Sequence, residues 1–285
     1  TLVPVQHHHA HIVSCMAEHG IEGLVIGLSF DGTGYGTDGR IWGGEVLIAE
    51  PAGFQRPLHL ACVPMPGGEA AIREPWRMAV SYLLDAFGDG FENLDLPVLN
   101  AIPENKIRLI KDMIVKRINS PETSSLGRLF DGVAAILGIR NKVSFEGQAA
   151  MALEMIAREE TNYLSVHDLY GYDLSDHHMG EITVRPIIAG IVKDLNKGVP
   201  REEISTRFHL SLMRMYTDLC DRIRSETGLN RVALSGGVFQ NALLLEGLCQ
   251  GLERKGFHVF TQSRVPANDG GIALGQTVVA AESAG

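Results

Sequence analysis

Hydrophobic and polar positions change rhythm along the chain. From Arg201 to Thr227, Ile204, Phe208, Leu212, Met215, Leu219 and Ile223 follow one another in steps of 4, 4, 3, 4 and 4. Those steps trace one apolar stripe on a long helix. The same spacing predicts helices over Glu69–Phe87, Asn105–Ile118, Leu126–Leu137 and Gly147–Glu160. Together with Arg201–Thr227 they form a helical block over about residues 68–227. On either side the pattern is different. Leu24–Phe30 is an apolar run of strand length, and Ile41–Ala49 reads as the returning strand of a hairpin. Thr1–Val5 reads as a short strand, His9–Glu18 as a helix stopped by Gly20, and the proline-rich stretch Pro51–Pro66 as loop. Ile182–Val184 suggests a strand ahead of a helix opened by Pro186. After Thr227 the order is strand Arg231–Leu234, glycine turn, helix Phe239–Lys255, strand His258–Thr261 and helix Gly271–Glu282. Strand, turn, helix, strand is the signature of an α/β fold with parallel pairing. Strands precede and follow the helical block, so it sits inside an α/β frame spanning 1–285.

Composition narrows the function. Hydrophobic residues make up 45% of the 285-residue chain, enough for a large core. The balance of 25 basic against 34 acidic residues gives −9, which repels a phosphate backbone at long range and argues against a nucleic-acid binder. Binding of a single nucleotide stays open, because backbone dipoles can supply it. Cys15, Cys62, Cys220 and Cys249 are far apart and share no C-x-x-C spacing, as expected of free thiols in a cytoplasmic protein. No run of eighteen apolar residues predicts a membrane span.

Four places carry candidate chemistry. In Gln6-His7-His8-His9-Ala10-His11, His7 and His11 are the i, i+4 pair. On a helix they project from one face and can share a Zn²⁺ or Fe²⁺ ion, with carboxylates from elsewhere completing the set. A solvated histidine patch would have the same sequence. Ser29-Phe30-Asp31-Gly32-Thr33-Gly34-Tyr35-Gly36 follows a strand and leaves amides uncovered, as an oxyanion site or an ordinary glycine hairpin would. Asp31 could reach the histidines as a ligand or orient metal-bound water. Leu234-Ser235-Gly236-Gly237 ends a strand and opens a helix, a turn suited to phosphate, with Asn241 one turn in. It matches neither the P-loop nor G-x-G-x-x-G. Asp269, in Asn268-Asp269-Gly270-Gly271, is either a helix cap or a loop carboxylate beyond a strand, where α/β folds keep their ligands. The adjacent pair His177-His178 reads as surface loop, and no G-x-S-x-G elbow supports serine nucleophile chemistry.

Taken in order, V-Q-H-H-H-A-H, S-F-D-G-T-G-Y-G, I-W-G-G-E, S-S-L-G-R-L-F-D, F-E-G-Q-A-A-M, L-S-G-G-V-F-Q-N and N-D-G-G-I-A-L-G-Q resemble one family. It is the C-terminal carbamoyltransferase domain of the hydrogenase maturation factor HypF, similar to tRNA threonylcarbamoyladenosine synthases and antibiotic O-carbamoyltransferases. The resemblance runs from Gln6 to about Gln276. It implies an actin/hexokinase-like ATPase fold with a ribonuclease-H-like sheet and a nucleotide cleft. It implies that His7, His11 and Asp269 hold a divalent metal, zinc or iron, and that Asp31 joins them as a catalytic ligand. It implies nucleotide contacts at Phe30, Asp31, Gly32, Thr33, Gly34, Asp131, Gly147, Gly237 and Asn241. The implied cofactors are ATP or AMP, carried as carbamoyladenylate, with Mg²⁺ as a further candidate.

The implied reaction passes a carbamoyl group from carbamoyladenylate to the C-terminal cysteine thiol of HypE, a step toward the cyanide ligands of [NiFe] hydrogenase. The implied partners are the HypE tail and the remaining HypF domains, with neither nucleic acid nor membrane involved. In the family a block of strands precedes the histidine motif. This sequence has only Val3-Pro4-Val5 there, so the expectation is a fold whose N-terminal half is missing, inactive as a fragment or in need of complementation, and open to self-association through free sheet edges. Two other readings compete: a nucleotide-gated partner-binding module with no chemistry of its own, and O-carbamoylation of a small hydroxylated molecule.

Overall fold

The computed structural model describes residues 2–157, 166–174 and 180–283. Nine strands form one sheet: β1 (Val25–Tyr35), β2 (Ile41–Glu50), β3 (Gly53–Leu60), β4 (Val63–Pro64), β5 (Glu122–Thr123), β6 (Asp173–Leu174), β7 (Glu181–Thr183), β8 (Arg231–Ser235) and β9 (His258–Thr261). The main order is β6-β7-β3-β2-β1-β8-β9. Strands β1, β2 and β3 form an antiparallel meander, and β8 joins β1 in parallel with Ile26 opposite Val232. β9 pairs in parallel with β8. The mixed α/β fold with a central sheet is the class expected from the alternating rhythm.

Among the described residues eleven α-helices surround the sheet: α1 (His7–His19), α2 (Glu69–Arg73), α3 (Trp76–Phe87), α4 (Pro97–Ala101), α5 (Glu104–Val115), α6 (Leu126–Ile136), α7 (Gln148–Ile156), α8 (Arg185–Asn196), α9 (Arg201–Thr227), α10 (Ala242–Arg254) and α11 (Ile272–Glu282). α1 and α11 pack on one face around Ile12, Val13, Met16 and Val279. The larger core lies on the other face, where Ile26, Leu28 and Phe30 of β1 meet α6 and α9. All six stripe residues of α9 are buried, as the helical spacing requires.

Five expectations change. The stretch Pro51–Pro66 is not a loop, since β3 and β4 lie in it. Pro57 is tolerated because β7 joins β3 only at His59 and Leu60, leaving the proline at an unpaired edge. Residues 3–5 are not a strand, for no neighbour pairs with them. Glu69–Phe87 is two helices, broken where Pro75 cannot donate a backbone hydrogen bond. Residues 237–240 form a short tight turn of 3-10 helix, and α10 starts only after Asn241 caps it through Leu244 N at 2.8 Å. The block 68–227 is not purely helical, since β5, β6 and β7 within it pair with the frame. The tail of the Gly147–Glu160 helix and the His177-His178 pair lie outside the described residues. Among the described residues no helix is long and apolar enough to cross a membrane.

Candidate metal centre and nucleotide cleft

Helix α1 starts two residues earlier than its apolar pattern suggests. Gln6 caps it by accepting a hydrogen bond from His9 N at 2.8 Å, and Gly20 closes it in the left-handed conformation. The early start places His7 inside the helix, so His7 and His11 stack one turn apart with Nε2 atoms separated by 3.2 Å. The neighbouring histidines have other roles. His9 Nε2 donates to the Glu50 carbonyl at 2.7 Å. His8 is sealed beside Trp42, and burial holds it down to about 3, hence neutral.

The third group arrives through a bulge. β1 and β2 keep register as far as Phe30 opposite Gly44 and resume at Gly34 opposite Trp42, so Asp31, Gly32 and Thr33 stand out of the ladder against Gly43 alone. The Asp31 carboxylate turns toward α1 and meets His7 Nε2 at 2.9 Å and His11 Nε2 at 3.2 Å. Its backbone is held from below. Ser125, which caps α6 by accepting from Arg128 N, places its hydroxyl 2.7 Å from the carbonyls of Asp31 and Gly32. Next to it Ser124 donates to the fully buried Glu45 at 2.6 Å. Glu45 also accepts from the amides of Gly43 and Gly44 and pairs with Arg56 Nε at 2.5 Å.

Asp269 supplies the fourth group from the far end of the chain. Asn268, not Asp269, is the cap here, since its side chain accepts from Gly270 N. Asp269 is therefore free to point outward. Its Oδ1 lies 3.5 Å from His7 Nε2 and 3.3 Å from His11 Nε2. Helix α11 docks tightly beside α1, where a Cβ on Gly275 would stand 1.9 Å from the Ala10 carbonyl. The loop before Asp269 is tied to α1 as well: Glu18 accepts from the Ser263 hydroxyl and from the amides of Ser263, Arg264 and Val265, which together lower its carboxyl to about 2.

One ligand atom each from His7, His11, Asp31 and Asp269 lies within 4.8 Å of the others. Two imidazole nitrogens and two carboxylate oxygens are a donor set suited to Zn²⁺ or Fe²⁺. The two imidazoles and two carboxylates also pair with one another. Despite burial, the two carboxylates push His11 up to about 9, while the histidines hold Asp31 and Asp269 below the usual carboxylate range.

Asp31 and Asp269 also form one end of a cleft of about 590 Å³ at the C-terminal ends of β1 and β8. Gly32, Thr33, Asp131, Gly147, Gly237 and Asn241 line it. Gly236, with φ of +110°, lets the β8 turn approach β1, for a Cβ there would lie 2.2 Å from the Phe30 carbonyl. Two residues expected at the nucleotide are elsewhere. The Phe30 ring is fully buried against Tyr216 and Phe239, because strand alternation turns it into the core. Gly34 rejoins the ladder and backs onto His7 and His8. Asn241 reaches the cleft wall with its side chain already engaged. Its Oδ1 caps α10, and its Nδ2 donates to His209 Nε2 at 3.1 Å.

Arg128, Glu146, Glu154, Met151 and Met155 also line the cleft. Arg128, Glu146 and Met151 fall inside the S-S-L-G-R-L-F-D and F-E-G-Q-A-A-M segments without an implied site role, and Glu154 and Met155 lie outside any motif. Arg128 is 1% exposed, 3.0 Å from Asp131 and 3.7 Å from Glu146. Burial raises the Asp131 carboxyl to about 6.

A family model described as "Carbamoyltransferase, Kae1-like Domain, second subdomain" matches residues 27–276. The chain belongs to the HypF carbamoyltransferase family. It is 40% identical to carbamoyltransferase HypF of Synechocystis over 95% of its own length and 36% of that protein. It is 38% identical to HypF2 of Cupriavidus necator, covering 99% of this chain and 37% of the relative. A shorter HypF homolog of C. necator is 36% identical, and the chain covers 71% of it. The fold matches a crystal structure of full-length HypF in a phosphate- and nucleotide-bound form with a TM-score of 0.89 and 42% identity, over 98% of this chain and 36% of that one. The HypF structure from T. kodakarensis gives a TM-score of 0.88 at 30% identity, over all of this chain and 37% of that one. The chain thus spans little more than a third of the full-length HypF proteins it matches.

Proposed function

We propose that this chain is the carbamoyl-transferring part of a HypF protein, in which His7, His11, Asp31 and Asp269 hold a divalent metal beside a bound adenylate. The observation that carries the reading is that both metal-facing carboxylates are also walls of the cleft. An ion bound by all four side chains would lie against the phosphate of a nucleotide in that cleft, where it supplies Lewis acidity to the adenylate. Family membership supports the transferase class, and the nucleotide-bound relative supports an adenylate in the cleft.

The protein's own groups have definite tasks in this reading. The α1 histidines would bind a cation as neutral imidazoles, so the proton that the two carboxylates hold on His11 would have to leave when the cation enters. Asp31 is held rigidly by the Ser125 hydroxyl, which fixes its carboxylate without occupying it. Gly236 N is spent on the Ala267 carbonyl, so Gly237, which lines the cleft, offers the turn's amide to the phosphate and to the charge on departing AMP. The acceptor reacts as the thiolate, its proton given to solvent: the sulfur forms a bond to the carbamoyl carbon as the carbon–oxygen bond to phosphate breaks, and AMP leaves with the electron pair. Neither half-buried thiol lies in the cleft wall, so the nucleophile comes from outside: the C-terminal cysteine of HypE is the acceptor in this proposal. The remaining HypF domains supply carbamoyladenylate and complete the wall facing the open side of the cleft.

The test is carbamoylation of a HypE C-terminal peptide by the full-length protein, followed by mass spectrometry, alongside elemental analysis. His7→Ala with His11→Ala is expected to abolish both bound metal and transfer. Transfer at the wild-type rate by that variant would refute the assignment. A nucleotide-gated binding module would retain peptide binding and never move the carbamoyl group.

A further inference from the structure

A chain of side chains, two buried serines joined through the half-buried Gln262, runs behind the candidate metal centre and outside the cleft lining. Ser235, the last residue of β8, donates its hydroxyl to Gln262 Oε1 at 2.7 Å. Gln262 Nε2 donates to Ser14 Oγ at 3.0 Å, and Ser14 donates to the Gly271 carbonyl at 2.8 Å. The direction of these bonds is fixed. The Gly271 carbonyl can only accept, so Ser14 must spend its one proton there, and Ser14 Oγ must then receive from the amide end of Gln262. That leaves the amide oxygen to receive from Ser235. Gln262 is the one member carrying both a donor and an acceptor at the required separation.

The chain joins the parts that assemble the site. Ser14 lies three residues after His11 on α1, Gly271 two residues after Asp269, and Ser235 immediately before the Gly236–Gly237 turn. Gly236 N in turn donates to the Ala267 carbonyl at 2.9 Å, closing the circuit onto the same loop. Glu18 ties this loop to α1 before Asp269, and the Ser14 contact at Gly271 ties it after, which matters because the Asp269 side chain is itself 71% exposed.

We infer that Gln262 is a positioning residue: through Ser14 and the Gly271 carbonyl it holds the Asp269 carboxylate at the histidine pair. The inference rests on the metal-centre reading above and deepens it. Residues behind a metal's ligands typically change metal affinity by about 10–100-fold.

The test is Co²⁺ titration of the metal-stripped chain, followed by visible absorption, for wild type, Gln262→Met, Asp269→Asn and the double variant. Gln262→Met keeps the length of the side chain and removes both polar ends. The expected result is Co²⁺ binding weakened about tenfold, with the spectrum moved toward that of Asp269→Asn. In the Asp269→Asn background Gln262→Met should add nothing, a non-additivity that a general loosening of the fold would not produce. Wild-type affinity and spectrum in Gln262→Met overturn the positioning role while leaving the metal centre standing. A wild-type chain that binds no Co²⁺ overturns the metal centre and this inference together. If Gln262→Met does not fold, Ser14→Ala decides by the same readings, with unchanged affinity and spectrum again overturning the role.

Discussion

The metal cluster and the cleft beside it share two carboxylates and are otherwise built on opposite plans. The cluster is over-determined. A capped helix, a bulge braced by Ser125 and a loop pinned by Glu18 bring four side chains together. The cleft is under-determined. Its walls carry Asp31, Asp131, Glu146, Glu154 and Asp269 against the single buried guanidinium of Arg128. Such a wall repels an anionic nucleotide, so in the proposal above metal first and nucleotide second is the order that electrostatics favours. Preorganisation resides in the cluster, and in that proposal the cleft would acquire its affinity from the cation the cluster holds.

The sharpest way to break this contrast is to remove the brace. Glu45→Ala strips a fully buried carboxylate from Arg56, two backbone amides and Ser124, and should cost about 3–5 kcal/mol, read by urea unfolding. If Glu45→Ala unfolds like wild type, the support beneath Asp31 is not what holds the cluster. Next, Gly275→Ala forces a Cβ against the Ala10 carbonyl and should destabilise by about 1–3 kcal/mol while weakening Co²⁺ binding, because α1 and α11 must part.

A pH titration separates the pinned loop from the ligands. The Glu18 carboxyl is lowered in the folded state from 4.5 to about 2, so its stabilisation is complete above about pH 4.5 and disappears as pH falls through about 2. Glu18→Gln should therefore be less stable than wild type at neutral pH and equal to it near pH 2, measured by thermal unfolding of the metal-free chain. The smallest effect belongs to the cleft. Glu146→Gln removes one exposed carboxylate near Arg128 and should tighten AMP binding by a few-fold in the absence of divalent metal, a Coulomb effect of about 1 kcal/mol. An unchanged or weakened AMP affinity would show that the acidic wall does not oppose the nucleotide.

Much of this was readable in advance where one short stretch carried the information. The i, i+4 spacing of His7 and His11 depends only on helix geometry, and the glycines after β1 and β8 mark where backbone must come close. The α9 stripe was equally plain. What stayed hidden depends on groups distant in sequence. Nothing around Glu45 says that Arg56 and Ser124 will enclose it, and Gln262 has no meaning until β8, α1 and the Asp269 loop are side by side. Phe30 was misplaced because the motif was read as a unit, whereas strand alternation sends Phe30 and Asp31 to opposite sides. β3 was missed because prolines signal loops unless the pairing edge is known.

The parallel contact of β1 with β8 has a consequence during synthesis. Ile26 faces Val232, and His7 and His11 meet Asp269, so the middle of the sheet cannot close until the ribosome has passed the glycine turn after β8. Until then the nascent polypeptide carries a half-covered hydrophobic strand and an unfinished side-chain cluster, the kind of surface that invites misassembly. If the cluster holds a cation as proposed, its acquisition would mark the moment at which translation of this region is complete.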